Sequence, residues 1–233
     1  IIAGDMASDY QLTLASLEAL ETETGAECLF VPGNHDIWNE NHPEMTAWDA
    51  YERLKAYKGN LVNGPRRLAG GWVAVGDLGW YDYSFGSPEF SVEDFNRMQI
   101  GDRLWQDKVK AVWGRSTRDM HDYFYDKLKQ QLRDLHGSNI ILVIHVLPIQ
   151  GFTVQNPNRM WSYLNAFLGS AQYGELALEH HVHYVICGHV HYRMQKRINN
   201  TEFICNCLNY SDQWIEKDPV QEIDQVLKVI EIN

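Results

Sequence analysis

The sequence predicts a layered α/β or α+β fold, and three observations carry that expectation. Short apolar runs alternate with amphipathic stretches early in the chain and follow one another late, which is how helices on a sheet read. Residues 139–144 (Asn-Ile-Ile-Leu-Val-Ile) form a near-continuous apolar run, the signature of a strand buried on both faces. With 233 residues, 45% of them apolar, the chain is long enough to bury a sizeable core.

Taken in order, residues 1–3 (Ile-Ile-Ala) read as the tail of a strand, so the chain is expected to lack its amino-terminal segment. Leucines at 12, 14, 17 and 20 give residues 11–22 a helical period. Residues 27–32 read as a short buried strand and 48–57 as helix. Residues 71–79 alternate between bounding glycines and predict a strand. Residues 80–115 are aromatic and irregular and read as an insertion with some helix: either a cap that stacks a nucleobase or lipid-like group or, more simply, a satellite hydrophobic cluster. Residues 118–135 predict an amphipathic helix and 162–179 an interrupted one. Strands are expected at 183–187, 203–208 and 225–232. With no repeat, low-complexity tract or linker, residues 1–233 read as one domain.

Charge removes further classes. Twenty Lys+Arg against 31 Asp+Glu give a net charge of −11, the wrong sign for a protein that gains affinity by neutralising a phosphate backbone. Tight duplex nucleic-acid binding is therefore not expected. A small phosphorylated substrate, nucleotides included, remains compatible if bound cations supply a local positive field. No window reaches the ~18 apolar residues of a membrane span. Cys28, Cys187, Cys205 and Cys207 form no CxxC pair, so zinc-ribbon and thioredoxin readings fail. Reduced, buried thiols fit a cytoplasmic protein best.

Four polar clusters follow expected strand ends: Gly4-Asp5, Gly33-Asn34-His35-Asp36, His145, and Gly188-His189-Val190-His191. Loops at the carboxyl ends of strands are where layered α/β folds bind ligands. A Gly-Asp is usually only a turn, and a lone His is usually a satisfied core residue. Gly-Asn-His-Asp and Gly-His-x-His at strand ends are far less common. Together the clusters supply a carboxylate, a carboxamide and several imidazoles, a donor set suited to divalent transition metals.

This ordered set resembles the calcineurin-like metallophosphoesterase superfamily, from Gly4 to His191. The resemblance implies a four-layer α/β/β/α sandwich and two divalent transition metal ions (Mn, Fe, Zn or Ni, with Mn first). It implies that Asp5 bridges the ions, that Asn34, His145 and His189 complete one of them, and that His191 serves the other. It implies that His35 stands beside the scissile phosphate, with Asp36 orienting it. The implied reaction is hydrolysis of a phosphomonoester or phosphodiester by a hydroxide bridging two cations ~3.5–4 Å apart. The rival from another class is a non-catalytic scaffold on the same fold with an incomplete metal site.

One departure stands out. The family pattern opens with Asp-x-His upstream of Gly-Asp. The literal matches Asp119-Met120-His121 and Asp134-Leu135-His136 fall in or at the end of the expected 118–135 helix and read as solvated positions. The Ser/Thr protein phosphatase pattern ends its tetrapeptide in Glu, whereas this one ends in Asp36. The tyrosine that purple acid phosphatases carry three residues after the Gly-Asp aspartate is Ser8 here. The broad bacterial-type phosphoesterase group remains.

Overall fold

The computed structural model describes residues 1–38 and 40–232. The elements in order are α1 (Tyr10–Thr24), α2 (Ala47–Leu54), β1 (Arg66–Arg67), β2 (Trp72–Asp77), α3 (Val92–Asn96), β3 (Gln99–Ile100), β4 (Arg103–Leu104), α4 (Asp107–Lys110), α5 (Thr117–Asp134), β5 (Asn139–Ile144), α6 (Arg159–Leu164), α7 (Ala171–Glu179), β6 (Tyr184–Cys187), β7 (Arg193–Ile198), β8 (Thr201–Asn206) and α8 (Pro219–Val226).

The apolar run of β5 explains the layering, because alternate residues of a strand face opposite ways. Ile140, Leu142 and Ile144 pack with Leu128, Leu132, Leu176 and Ala177 of α5 and α7. Ile141 and Val143 pack with Leu29, Val31 and Leu61. Leu61 opens the 3-10 turn after Asn60, and Leu29 and Val31 belong to a second set of extended segments, joined by parallel bridges from Ile2 to Phe30 and from Phe30 to Asn60. Beyond it, Phe30 meets Leu17 of α1 and Ala50 and Leu54 of α2. Helices, sheet, extended segments and helices thus form the expected four layers.

The principal sheet runs β1-β2-β5-β6-β8-β7. The β2, β5, β6 and β8 strands are parallel, with antiparallel β1 and β7 at the two edges. Parallel strands deliver their carboxyl ends to one edge. His145 directly follows β5 and Gly188 directly follows β6, joined by a bond from Gly188 N–H to the His145 carbonyl (2.9 Å).

Several expectations need correction. Residues 225–232 are not a strand: α8 covers the first two, and 227–232 carry no regular assignment. Their alternation is that of exposed residues; Leu227 and Val229 remain exposed. Residues 27–32 make the backbone bonds of the bridged set but no named strand. Edge strand β7 went unread because Arg-Met-Gln-Lys-Arg-Ile has no fully buried face. His121 is not solvated: it is 1% exposed and hydrogen-bonded to Ser170 Oγ (3.1 Å). The aromatic segment is no satellite, since Trp80, Tyr81, Tyr83, Phe95 and Trp113 join the same core as Phe30 and Leu17.

One ion pair knits four elements behind the sheet end. Lys127 of α5 meets Asp77, the last residue of β2, at 2.6 Å. Tyr51 of α2 donates to the other Asp77 oxygen (2.7 Å), and Lys127 donates to the Val62 carbonyl (3.0 Å). Asp77 is fully buried. Lys127→Met should cost about 3 kcal/mol by leaving that carboxylate uncompensated, lowering Tm by about 10 °C for a chain of this size. Arg197→Ala, which loses an exposed pair with Glu202, should cost less than ~1 kcal/mol. Thermal unfolding of the two variants checks this contrast.

Candidate metal centre

The carboxylate of Asp36 anchors the loops that build the site. It is fully buried. One oxygen accepts from the backbone N–H of Asp5 and Gly33, both at 2.7 Å. The other accepts from Met6 N–H (2.9 Å), Ala7 N–H (3.2 Å) and the Thr13 hydroxyl (2.6 Å). The Gly-Asp loop and the Gly-Asn-His-Asp loop are therefore held as one unit. Among the described residues Asp36 makes no hydrogen bond to the His35 ring; its bonds go to the two loops and to Thr13. Burial and the neighbouring Asp5 charge push the Asp36 carboxyl up from its ordinary range, while its hydrogen bonds favour the charged form.

Close approach follows from two glycines. A Cβ on Gly33 would sit 2.1 Å from Asp5 Oδ1, and one on Gly4 would sit 2.6 Å from His145 Nδ1. Asp5 (φ 59°) and His189 (φ 71°) both adopt the left-handed backbone that non-glycine residues avoid. Each such residue costs of order 1–3 kcal/mol and persists where its surroundings enforce it.

Asp5, Asn34, His145 and His189 then converge. His145 Nε2 lies 3.0 Å from Asn34 Oδ1, 3.1 Å from His189 Nδ1 and 3.3 Å from Asp5 Oδ2. His189 Nδ1 lies 3.0 Å from Asn34 Oδ1. The far sides of the rings assign their protons. His145 Nδ1 faces the Ala3 carbonyl at 2.7 Å, and His189 Nε2 faces the Phe167 carbonyl at 3.0 Å. Each imidazole therefore donates outward and turns its other nitrogen inward, the usual arrangement of a metal-ligating histidine. Burial disfavours charge on both rings. For His145 the adjacent Asp5 carboxylate outweighs burial and raises its pKa to about 9. For His189 burial and the His145 charge depress it to about 3. Burial also opposes ionisation of Asp5, but His145 holds its carboxyl well below the usual range.

The other expected site residues lie around this cluster. The His35 ring stacks on Trp38 (centroids 3.6 Å, 25° between planes), and its backbone N–H donates to Asp5 Oδ1 (2.9 Å). Its ring nitrogens make no hydrogen bond among the described residues. Burial lowers the His35 pKa, partly offset by Asp5 and Asp107. His191 is exposed and stands outside the converging donors. Its Nδ1 meets Gln213 Oε1 at 3.1 Å and its ring packs edge-on to Tyr210. Arg193, two residues past His191, is paired with buried Glu222.

Two contributors were missed by sequence reasoning. Gln213 carried no signal. Asp107 carried a faint one: an acid two residues from Trp105, within an aromatic stretch that must bury it or expose its neighbours. It is 2% exposed and accepts from Asn34 Nδ2 at 2.8 Å. Burial raises its pKa, against hydrogen bonds from Asn34, Trp38 and Trp105.

Comparison with known proteins agrees with the fold. Phosphopantetheinyl hydrolase from Mycobacterium tuberculosis superposes with a TM-score of 0.78 at 18% identity, covering 95% of this chain and 83% of that one. TT1561 of Thermus thermophilus gives 0.48 at 16% identity, covering 84% and 69%. No curated protein sequence matches the chain. Residues 1–193 match the family model described as calcineurin-like phosphoesterase, and the chain belongs to that family.

Proposed function

We propose that the protein is a divalent-metal-dependent phosphoesterase acting on a small phosphorylated molecule, nucleotides included. The observation that carries the reading is the convergence of Asp5, Asn34 and His189 on His145 Nε2, at 3.0 to 3.3 Å. Acceptors pointed at one another repel unless a proton or a metal cation sits among them. These spacings suit neighbouring ligands of a six-coordinate ion with bonds of ~2.1 Å. Imidazole with carboxylate and carboxamide oxygen suits manganese, iron, zinc or nickel, with manganese first.

Asp5, Asn34, His145 and His189 would hold one ion; for a second the proposal assigns Asp5 and His191. Bound cations would stabilise charge on the phosphoryl oxygens and acidify the attacking water. The chain's own residues do the rest. Neutral Asn34 gives an oxygen without cancelling positive charge. In its protonated form His35 would give its ring proton to the leaving oxygen and return to neutral imidazole; burial, which lowers its pKa, favours that release. Trp38, stacked on that ring, restricts its rotation. Asp36 holds Asp5 and Gly33 in register.

The net charge of −11 supports a small substrate over a nucleic-acid duplex. Four free thiols support a reducing, cytoplasmic setting. No helix among the described residues is long and apolar enough to cross a membrane. The likeness to the phosphopantetheinyl hydrolase is one of fold and assigns no substrate.

Turnover of a generic aryl phosphoester should require a transition metal, and a panel of monoesters, diesters and cyclic nucleotides with manganese should find the substrate class. Undiminished turnover after exhaustive chelation would sink the reading. His35→Ala should lower kcat by ~10²–10⁴ with manganese affinity unchanged, and the loss should shrink for substrates with good leaving groups. Metal loss in that variant would make His35 a ligand instead. Asp36→Ala should lower Tm and manganese affinity together, since its five hydrogen bonds hold the loop bearing Asp5; metal titration alongside thermal unfolding reads both.

A further inference from the structure

An asparagine amide can enter a site in two orientations, oxygen first or nitrogen first, and its other end decides which. At Asn34 the far end meets Asp107. Asn34 Nδ2 donates to Asp107 Oδ1 at 2.8 Å while Asn34 Oδ1 faces His145 and His189. Asp107 is built to accept only. Trp38 Nε1 donates to the same oxygen at 2.7 Å. Trp105 Nε1 (2.8 Å) and the Tyr81 hydroxyl (3.3 Å) donate to the other. Four donors surround a carboxylate that is 2% exposed, and none of them needs it as a donor. A nitrogen-first Asn34 would set carbonyl against carboxylate and leave both unsatisfied in a buried place.

The same carboxylate ties down the aromatic walls. Trp38 stacks on His35, and Trp105 packs edge-on to His189 with centroids 5.9 Å apart. Asp107 opens α4, inside the 80–115 segment, so that segment reaches the metal centre through Asp107 and Trp105.

We propose that Asp107 is a positioning residue that fixes the Asn34 amide with its oxygen toward the metal centre and so makes Asn34 a competent oxygen donor. This rests on the metal reading above and deepens it. Asp107→Asn keeps the shape of the side chain but brings an amide donor among four donors, so the lock on Asn34 is lost.

The test is manganese titration calorimetry on the full chain, comparing the unsubstituted protein with Asn34→Ala, Asp107→Asn and the double variant, with thermal unfolding alongside. Asp107→Asn should weaken binding by about tenfold or more, as loss of an outer partner of a ligand does. The double variant should bind no more weakly than Asn34→Ala alone, because both changes remove the same contribution. Unchanged affinity in Asp107→Asn, or additive losses in the double variant, would overturn the inference and leave the metal reading standing. Failure of the unsubstituted chain to take up manganese would overturn both. A second measurement needs no substitution. In the ¹⁵N spectrum of the zinc-loaded protein, the Asn34 side-chain amide protons should exchange slowly with solvent, being held on Asp107; rapid exchange would overturn the assignment.

Discussion

Donor atoms of Asn34, His145 and His189 held 3.0 to 3.1 Å apart, with Asp5 Oδ2 3.3 Å from His145 Nε2, set the terms for the rest of this molecule. Such a cluster has no reason to form on its own. It forms because each atom is fixed from behind: His145 by the Ala3 carbonyl, His189 by the Phe167 carbonyl, Asn34 by Asp107, and the loop of Asp5 by Asp36. Two of those supports are backbone carbonyls, which side-chain substitution cannot remove. The other two are buried carboxylates, which it can. Within the ion-free protein, the high pKa of His145 lets a proton stand where a metal cation fits.

The supports come from distant parts of the chain. Asp36 joins segments about thirty residues apart in sequence, and Asp107 reaches back 73 residues to Asn34. The parallel sheet makes this possible by bringing the ends of β5 and β6 side by side, with the bridged segments of Ile2 and Phe30 packed behind them. The aromatic segment contributes core, through Trp80, Tyr81, Phe95 and Trp113, and also a polar strut, through Asp107.

Much of this was legible in the sequence, and the reasons divide by physics. β5 was read to the residue because a strand buried on both faces is apolar on both. Three of the four clusters were marked by a glycine at a sharp turn, and His145 and Gly188 directly follow β5 and β6. β7 was hidden because an edge strand can be polar throughout. Residues 225–232 misled because exposed apolar residues can alternate by accident, and His121 misled because a buried histidine needs only one good partner. Neither the role of Asp36 nor that of Asp107 could be read locally. Both depend on which backbone amides and indoles arrive from elsewhere, and sequence spacing does not encode that.

The left-handed backbone at Asp5 and His189 bears on how such a protein drifts over generations. At most positions, a residue that packs better also keeps the protein working. Here the two demands part. Glycine at either position would relax the main chain, by of order 1 kcal/mol or more, and would remove a proposed ligand in the same step. Any search that rewards thermal resistance alone would therefore tend to erase the site while improving the scaffold, and would report success as it did so. A lineage under such pressure would end as a well-folded four-layer sandwich that hydrolyses nothing.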